Sequence, residues 1–175
     1  MTSNLRDANI FQDFTVWIND IGKIGTAPGF QPPEINVHTE EFRGGGMDGA
    51  VEVPMGMEKI EFDFDLHTWD DDIWENLGFG PGSMDVPVTF RGYLLTPGGV
   101  EKGVIIETRS LLKSIKTNKV EAGKKVEMSI HLSASYYRQE INGTTHTEID
   151  LFNKVTIIGG RDKSANARRI LGFTY

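Results

Sequence analysis

The chain has 175 residues, 38% apolar and 25% charged, with 18 Lys and Arg against 25 Asp and Glu for a formal charge of -7. That length suits one domain with a real core, and an acidic chain without a basic cluster is poorly built to grip nucleic acid, where phosphate neutralisation dominates affinity. The lack of cysteine excludes disulfides, thiolate metal ligands and a cysteine nucleophile, and no apolar run approaches the ~20 residues of a membrane-spanning helix.

The pattern along the chain is mostly strands. Arg6 and Asp7 stand early with no leader-like apolar stretch, so synthesis and folding in the cytoplasm are expected. Phe14 to Ile18 is a short aromatic and β-branched run. Pro28-Gly29 and Pro32-Pro33 then break the chain, and Ile35 to Phe42 reads as a strand. Residues 43–57 are glycine-rich and carry no core pattern beyond Val51, Val53 and the methionines. Ile60 to Leu66 alternates cleanly, with Ile60, Phe62, Phe64 and Leu66 on one face and Glu61, Asp63 and Asp65 on the other.

Asp70 to Leu77 reads as a short helix. Asp70-Asp71-Asp72 suits its positive N-terminal end, Trp69, Ile73, Trp74 and Leu77 share a face, and Gly78 and Gly80-Pro81-Gly82 stop it. Val86 to Leu95 is a strand, Pro97-Gly98-Gly99 a turn, and Val104 to Lys116 a long extended segment. After Gly123, the apolar set Val126, Met128, Ile130, Leu132, Ala134 and Tyr136 alternates with Glu127, Ser129, His131, Ser133, Ser135 and Tyr137. Ile141-Asn142-Gly143-Thr144 is a strong hairpin signal. A return strand to Asp150, a short strand over Lys154 to Ile158, and a basic helix between Asp162 and Ile170 close the chain.

Seven or eight strands with one or two short helices predict a mainly β fold, a two-sheet sandwich or open barrel, as a single domain over 1–175 with an extension protruding at about 43–57. The polar faces through Glu61 and through Glu127 admit two readings from pattern alone: one wet side of a sandwich, or walls of a shared aqueous channel.

Catalytic chemistry is poorly supported. Gly44-Gly45-Gly46 lacks the Lys-Ser/Thr of a phosphate loop, and no serine sits in a Gly-x-Ser-x-Gly elbow. His38, His67, His131 and His146 never show i, i+4 spacing; His146, Glu148 and Asp150 share a strand face, which is more simply an edge than a metal site. Trp17, Trp69 and Trp74 could form a sugar platform, but Trp69 and Trp74 are expected in the core where the short helix meets the sheet. No enzyme activity, cofactor or metal is expected.

Two segments stand apart: Phe42-Arg43-Gly44-Gly45-Gly46-Met47-Asp48-Gly49, and Tyr136-Tyr137-Arg138 followed by Asn142-Gly143, Glu148-Ile149-Asp150 and Asn153. With Gly56, Gly160, Asp162, Arg168, Arg169 and Gly172 in order, nearly the whole chain resembles the major tail tube protein of contractile-tailed phages and R-type pyocins. The resemblance implies hexameric rings stacked into the inner tube of a contractile tail, with each inner sheet completing a common barrel. It implies sheath, tape-measure, baseplate and tail-terminator partners, and DNA only in transit, with neither stable nucleic-acid binding nor a lipid anchor. The expected place is the virion tail.

On that reading Glu61, Asp63, Asp65, Glu127, Ser129, His131 and Ser133 line the lumen, where fixed negative charge repels phosphates. Phe42, Arg43, Gly44, Gly45, Gly46, Met47, Asp48, Val51, Val53, Met55 and Met57 meet another subunit or ring, and Arg168 and Arg169 pair with a neighbour's acids. Alternatives are the tube of a related injection or secretion system carrying effectors, or a carbohydrate-binding β-sandwich.

Overall fold

The computed structural model describes residues 7–80 and 83–173. Pro81 and Gly82 of the expected helix stop, Arg6, Thr174 and Tyr175 lie outside the described residues. The strands are β1 (Ile10–Ile18), β2 (Ile21–Gly22), β3 (Val37–Phe42), β4 (Val51–Met57), β5 (Ile60–Leu66), β6 (Val86–Leu95), β7 (Glu101–Thr117), β8 (Met128–Ile141), β9 (Thr144–Asp150), β10 (Val155–Ile158) and β11 (Arg161–Asp162); the helices are α1 (Asp71–Glu75) and α2 (Ala165–Leu171).

The main sheet runs β11-β10-β9-β8-β7-β6-β1-β2, every pair antiparallel, with β5 added alongside β8. β8 organises it. One edge of β8 follows β7 along its length. The other edge is divided: Met128–Ala134 pairs with β5, and Tyr136–Ile141 with β9. The change of partner falls at Ser135, which has no register partner on β7, while Lys113 is the unpaired residue on β7. Such bulges bend strands, and here they fold the sheet into two leaves. One leaf is β5, the first half of β8 and the last part of β7; the other is β9, the second half of β8, the start of β7, β6 and β1.

The two leaves enclose one core. Ile60, Phe62, Phe64 and Leu66 of β5 and Met128, Ile130 and Leu132 of β8 join Val16, Val86, Val88, Phe90 and Ile106 in a single buried cluster. Phe30, in the loop before β3, bridges the leaves. Its ring stacks on Phe90 at 4.4 Å and meets Phe62 edge-on at 6.0 Å. The buried Lys23 ammonium pairs with Asp70 and tethers the 23–26 turn to the start of α1. Asp70 also caps α1 by accepting a hydrogen bond from the Asp72 amide, as the acidic run predicts.

The bulge at Ser135 corrects the alternation expected for β8. An extra residue reverses the in-out order, so Tyr137 (3% exposed) enters the core and Tyr136 lies on the opposite face. Trp69 and Trp74 are also corrected. At 57% and 41% exposed they lie outside the core, because α1 has only five residues and spends its one buried position on Ile73. The Asn142-Gly143 turn forms as expected, with positive φ at both residues (51° and 72°).

The largest difference concerns residues 35–57. Val37–Phe42 is a strand, but not one of the body, and residues 51–57 of the expected extension form a second strand. β3 and β4 pair only with each other in a separate two-stranded sheet whose residues are exposed from Val37 to Gly56. The protruding segment is thus a hairpin arm, closed at its base by the Glu58 amide donating to the Asn36 carbonyl. Alternation along β3 gave the right secondary structure, but nothing in it distinguishes pairing on the body from pairing on a free-standing hairpin.

Candidate assembly surfaces

No catalytic constellation appears among the described residues, and no group of three or more His, Asp or Glu side chains there can hold a metal ion. Glu148 accepts from the Tyr136 hydroxyl at 3.1 Å, and Asp150 accepts from the Asn153 amide at 2.9 Å. Those carboxylates serve the sheet. The distinctive features of the molecule are its surfaces.

The first surface is the solvent face of the β5-containing leaf. Register places Glu61 opposite Ser133, Asp63 opposite His131 and Asp65 opposite Ser129, so six of the seven residues expected in a lumen share one face. The seventh, Glu127, stands one residue before β8 and ties to Asn118: its amide donates to the Asn118 side chain at 3.0 Å. Ser129 donates to Asp65 at 2.6 Å, and Asp63 binds the His131 Nδ1.

Sequence reasoning missed the cations here. Lys113, on the β7 bulge, bonds Glu61 at 2.6 Å, and Lys116 is paired across from Ser129. The Lys113 ammonium holds the Glu61 carboxyl below its ordinary range. Three carboxylates therefore face two lysines, and the face is close to neutral, not uniformly acidic. The signal was available, since Lys113 and Lys116 both lie in the expected strand, but only the bulge puts them on one face.

This leaf also has two edges that no described strand covers. β5 pairs only with β8. β7 pairs with β6 as far as Ser110; beyond that its outer edge receives the Gly78 amide at the Leu112 carbonyl (3.1 Å). Glycine suits that close approach, because a Cβ at Gly78 would crowd the Leu112 carbonyl oxygen at 3.0 Å and push aside Leu111 Cδ1 at 2.7 Å.

The second surface is the arm. Its tip is the Phe42–Gly49 segment, turned by Gly46 at φ +82°. The Met47 amide donates to the Gly44 carbonyl, and the Gly44 amide approaches the Met47 sulfur at 3.1 Å. Arg43 Nε donates to the Met47 carbonyl at 3.3 Å. Phe42, paired across from Val51, shares a face with Val53; Phe42 is 58% exposed and Met55 56%. Glu41 and Glu52 are directly opposite one another on the other face. Of the residues expected to reach a neighbour, Met47 and Met57 have homes in their own chain: Met47 in the tip turn, Met57 against the core.

The third surface is the corner made by β10, β11 and α2. Arg168 is committed inside it, donating to Ser164 Oγ (2.7 Å) and the Lys154 carbonyl (3.0 Å) and pairing with Asp162. That guanidinium holds the Asp162 carboxyl down at about 2. Arg169 remains exposed, with one bond to Asn166 at 2.8 Å.

The other conspicuous segment, Tyr136-Tyr137-Arg138, lies on β8 in the body, not beside the arm tip. Arg138 clasps Glu140 and, at 3.5 Å, Glu107. Burial and the nearby Glu148 push the Tyr136 hydroxyl up to about 12.

Residues 8–172 match the family model described as phage tail tube protein FII. This chain belongs to that family. A tail tube protein of Escherichia phage P2 is 27% identical over 160 residues, covering 90% of this chain and 93% of that protein. The major tail tube protein of Serratia phage KSP20 is 25% identical over 141 residues, covering 80% and 81%. The fold is shared with a chain from the PVC sheath/tube terminator of an extracellular contractile injection system in its extended state. That chain has 16% identity and a TM-score of 0.55, covering 73% of this chain and 92% of its own length. The chain is a structural tail tube subunit of the virion tail.

Proposed function

We propose that six copies close into a ring through the open edges of the β5–β8–β7 leaf, and that rings stack into the inner tube of a contractile tail. The observation that carries this is the pair of uncovered edges flanking one polar face. β5 and β7 are both antiparallel to β8, so they run parallel to each other. The β5 edge of one copy can therefore meet the β7 edge of the next in the same sense, copy after copy. Such a head-to-tail contact closes into a ring when the rotation is right, and closure removes edges that otherwise invite aggregation. The leaf's apolar face is already buried against the core, so its polar face looks into the bore.

In this reading Glu61, Asp63, Asp65, Ser129, His131 and Ser133 line the conduit, Glu127 stands at its end, and DNA passes without stable binding. A nearly neutral, hydroxyl-bearing wall offers passing phosphates no continuous basic track, the feature that makes nucleic-acid binding strong and salt-dependent. Sheath, tape measure, baseplate and terminator proteins are the expected partners, and penetration of the host envelope the expected action. The arm docks on another copy. An isolated two-stranded hairpin is marginal in water, and this one leaves Phe42, Val51 and Val53 exposed. Electron microscopy of the purified protein tests the proposal: six-fold rings or hollow rods are expected, and a monodisperse monomer at high concentration overturns it.

A further inference from the structure

The charge of this chain is distributed in a way that its net value hides. The arm and its base, residues 37–58, hold five carboxylates (Glu40, Glu41, Asp48, Glu52, Glu58) against Arg43. The C-terminal corner, residues 151–173, holds five cations (Lys154, Arg161, Lys163, Arg168, Arg169) against Asp162. The two segments carry -4 and +4. Their charges are largely unspent: among the described residues, no arm carboxylate takes part in an ion pair, nor do Lys154, Arg161 or Lys163, whereas Asp162 is satisfied by Arg168.

Register sharpens the point. Glu41 and Glu52 are cross-strand partners on the arm, and like charges directly opposite on a sheet destabilise it. A free-standing hairpin has little stability to lose. The arrangement is unfavourable for a lone chain and favourable once cations cover that face. The corner presents such cations on an exposed surface, and α2 beside them buries no residue of its own, leaving Ile170 70% and Leu171 61% exposed.

We infer that the acidic face of the arm, centred on the Glu41–Glu52 pair, is received by the basic β10–β11–α2 corner of another copy, with Arg161, Lys163 and Arg169 meeting the carboxylates. This rests on the reading that the arm docks on a neighbouring subunit, and it names the receiving surface. The match in opposite charge sets the choice of site more than the strength of the contact.

Charge reversal in trans tests it. One variant carries Glu41→Lys and Glu52→Lys, the other Arg161→Glu and Lys163→Glu; none of these side chains holds the body together. Each variant alone sets like against like at every arm-to-corner contact, so loss of sedimenting tubes is expected. An equimolar mixture restores attraction, because each arm then finds a corner of opposite sign on the other variant, and tubes return. Circular dichroism and thermal melts confirm that both variants are folded. Tubes from either variant alone, or a mixture no better than its parts, overturn the inference; the second result would place the arm on some other surface or partner. A third chain, with residues 37–57 replaced by a short linker, separates the two levels. Normal tubes from it refute arm docking itself, whereas loss of tubes without rescue in the mixture refutes only the charged corner as receiver.

Discussion

Phe90→Ala tests how the body holds the arm. Phe90 is 4% exposed on β6 and takes three rings: Phe30 at 4.4 Å, Phe14 at 5.5 Å and Phe11 at 5.9 Å. Truncating a buried phenylalanine costs about 3–5 kcal/mol, and a rigid sheet that cannot collapse into the gap belongs toward the upper end of that range. Against a typical total of about 5–15 kcal/mol, the variant should remain folded at low temperature with a urea midpoint far below the parent's. The same deletion releases Phe30, the ring that pins the loop leading into the arm.

Phe30→Ala, at a partly buried position, should cost only about 1–2 kcal/mol, somewhat below the full-burial value. Both variants should speed amide exchange in residues 26–36 while β8 stays protected. Urea unfolding under non-assembling conditions gives the energies, and hydrogen exchange locates the loosening. A loss below about 1 kcal/mol for Phe90→Ala, or unchanged exchange in that loop, would refute the idea that this stack anchors the arm's base.

Replacing Glu61, Asp63 and Asp65 by Lys leaves only cations on the proposed lumen face; tubes should still form, with DNA delivery slowed, and normal infectivity would contradict the assignment of that face. Arg168→Ala should return the Asp162 titration from about 2 toward its ordinary 3.8, read by NMR. Asp162's folded-state value is depressed, so its contribution is present above about pH 4, fades as pH falls through about 2, and should vanish from the acid limb of the variant. Gly92→Val places a side chain where Phe11 Cζ lies 2.3 Å from an ideal Cβ; the ring must leave Phe90, and a thermal melt should show a loss of about 1–3 kcal/mol.

Much of the body was legible because its strands bury one face and solvate the other. β5 and β6 fall on the predicted residues, Ile60–Leu66 and Val86–Leu95, where alternation and flanking turns agree. The six polar residues of the first surface were readable by the same rule, since a shared face follows from a period of two once two strands pair. What escaped was everything set by a single inserted residue. Ser135 exchanges the roles of Tyr136 and Tyr137, and Lys113 brings a cation to a face expected to be acidic. A bulge leaves no composition signature, because it depends on what the partner strand does. The arm escaped for a related reason: Val51–Met57 contains Pro54 and Gly56 and is exposed at every position before Met57, so the burial pattern that marks a strand was absent while the strand itself was present. Trp69 and Trp74 were misplaced because hydrophobicity argues for burial without saying how much helix there is to bury them.

The division of β8 between two partners has a mechanical side. In a sandwich whose layers meet only through side chains, a sideways load makes one layer slip over the other. Here a single continuous strand belongs to both leaves, so slippage would have to stretch peptide bonds and strip the hydrogen bonds that β7 makes along its whole length. The domain resists shear as a beam does, not as a stack of cards.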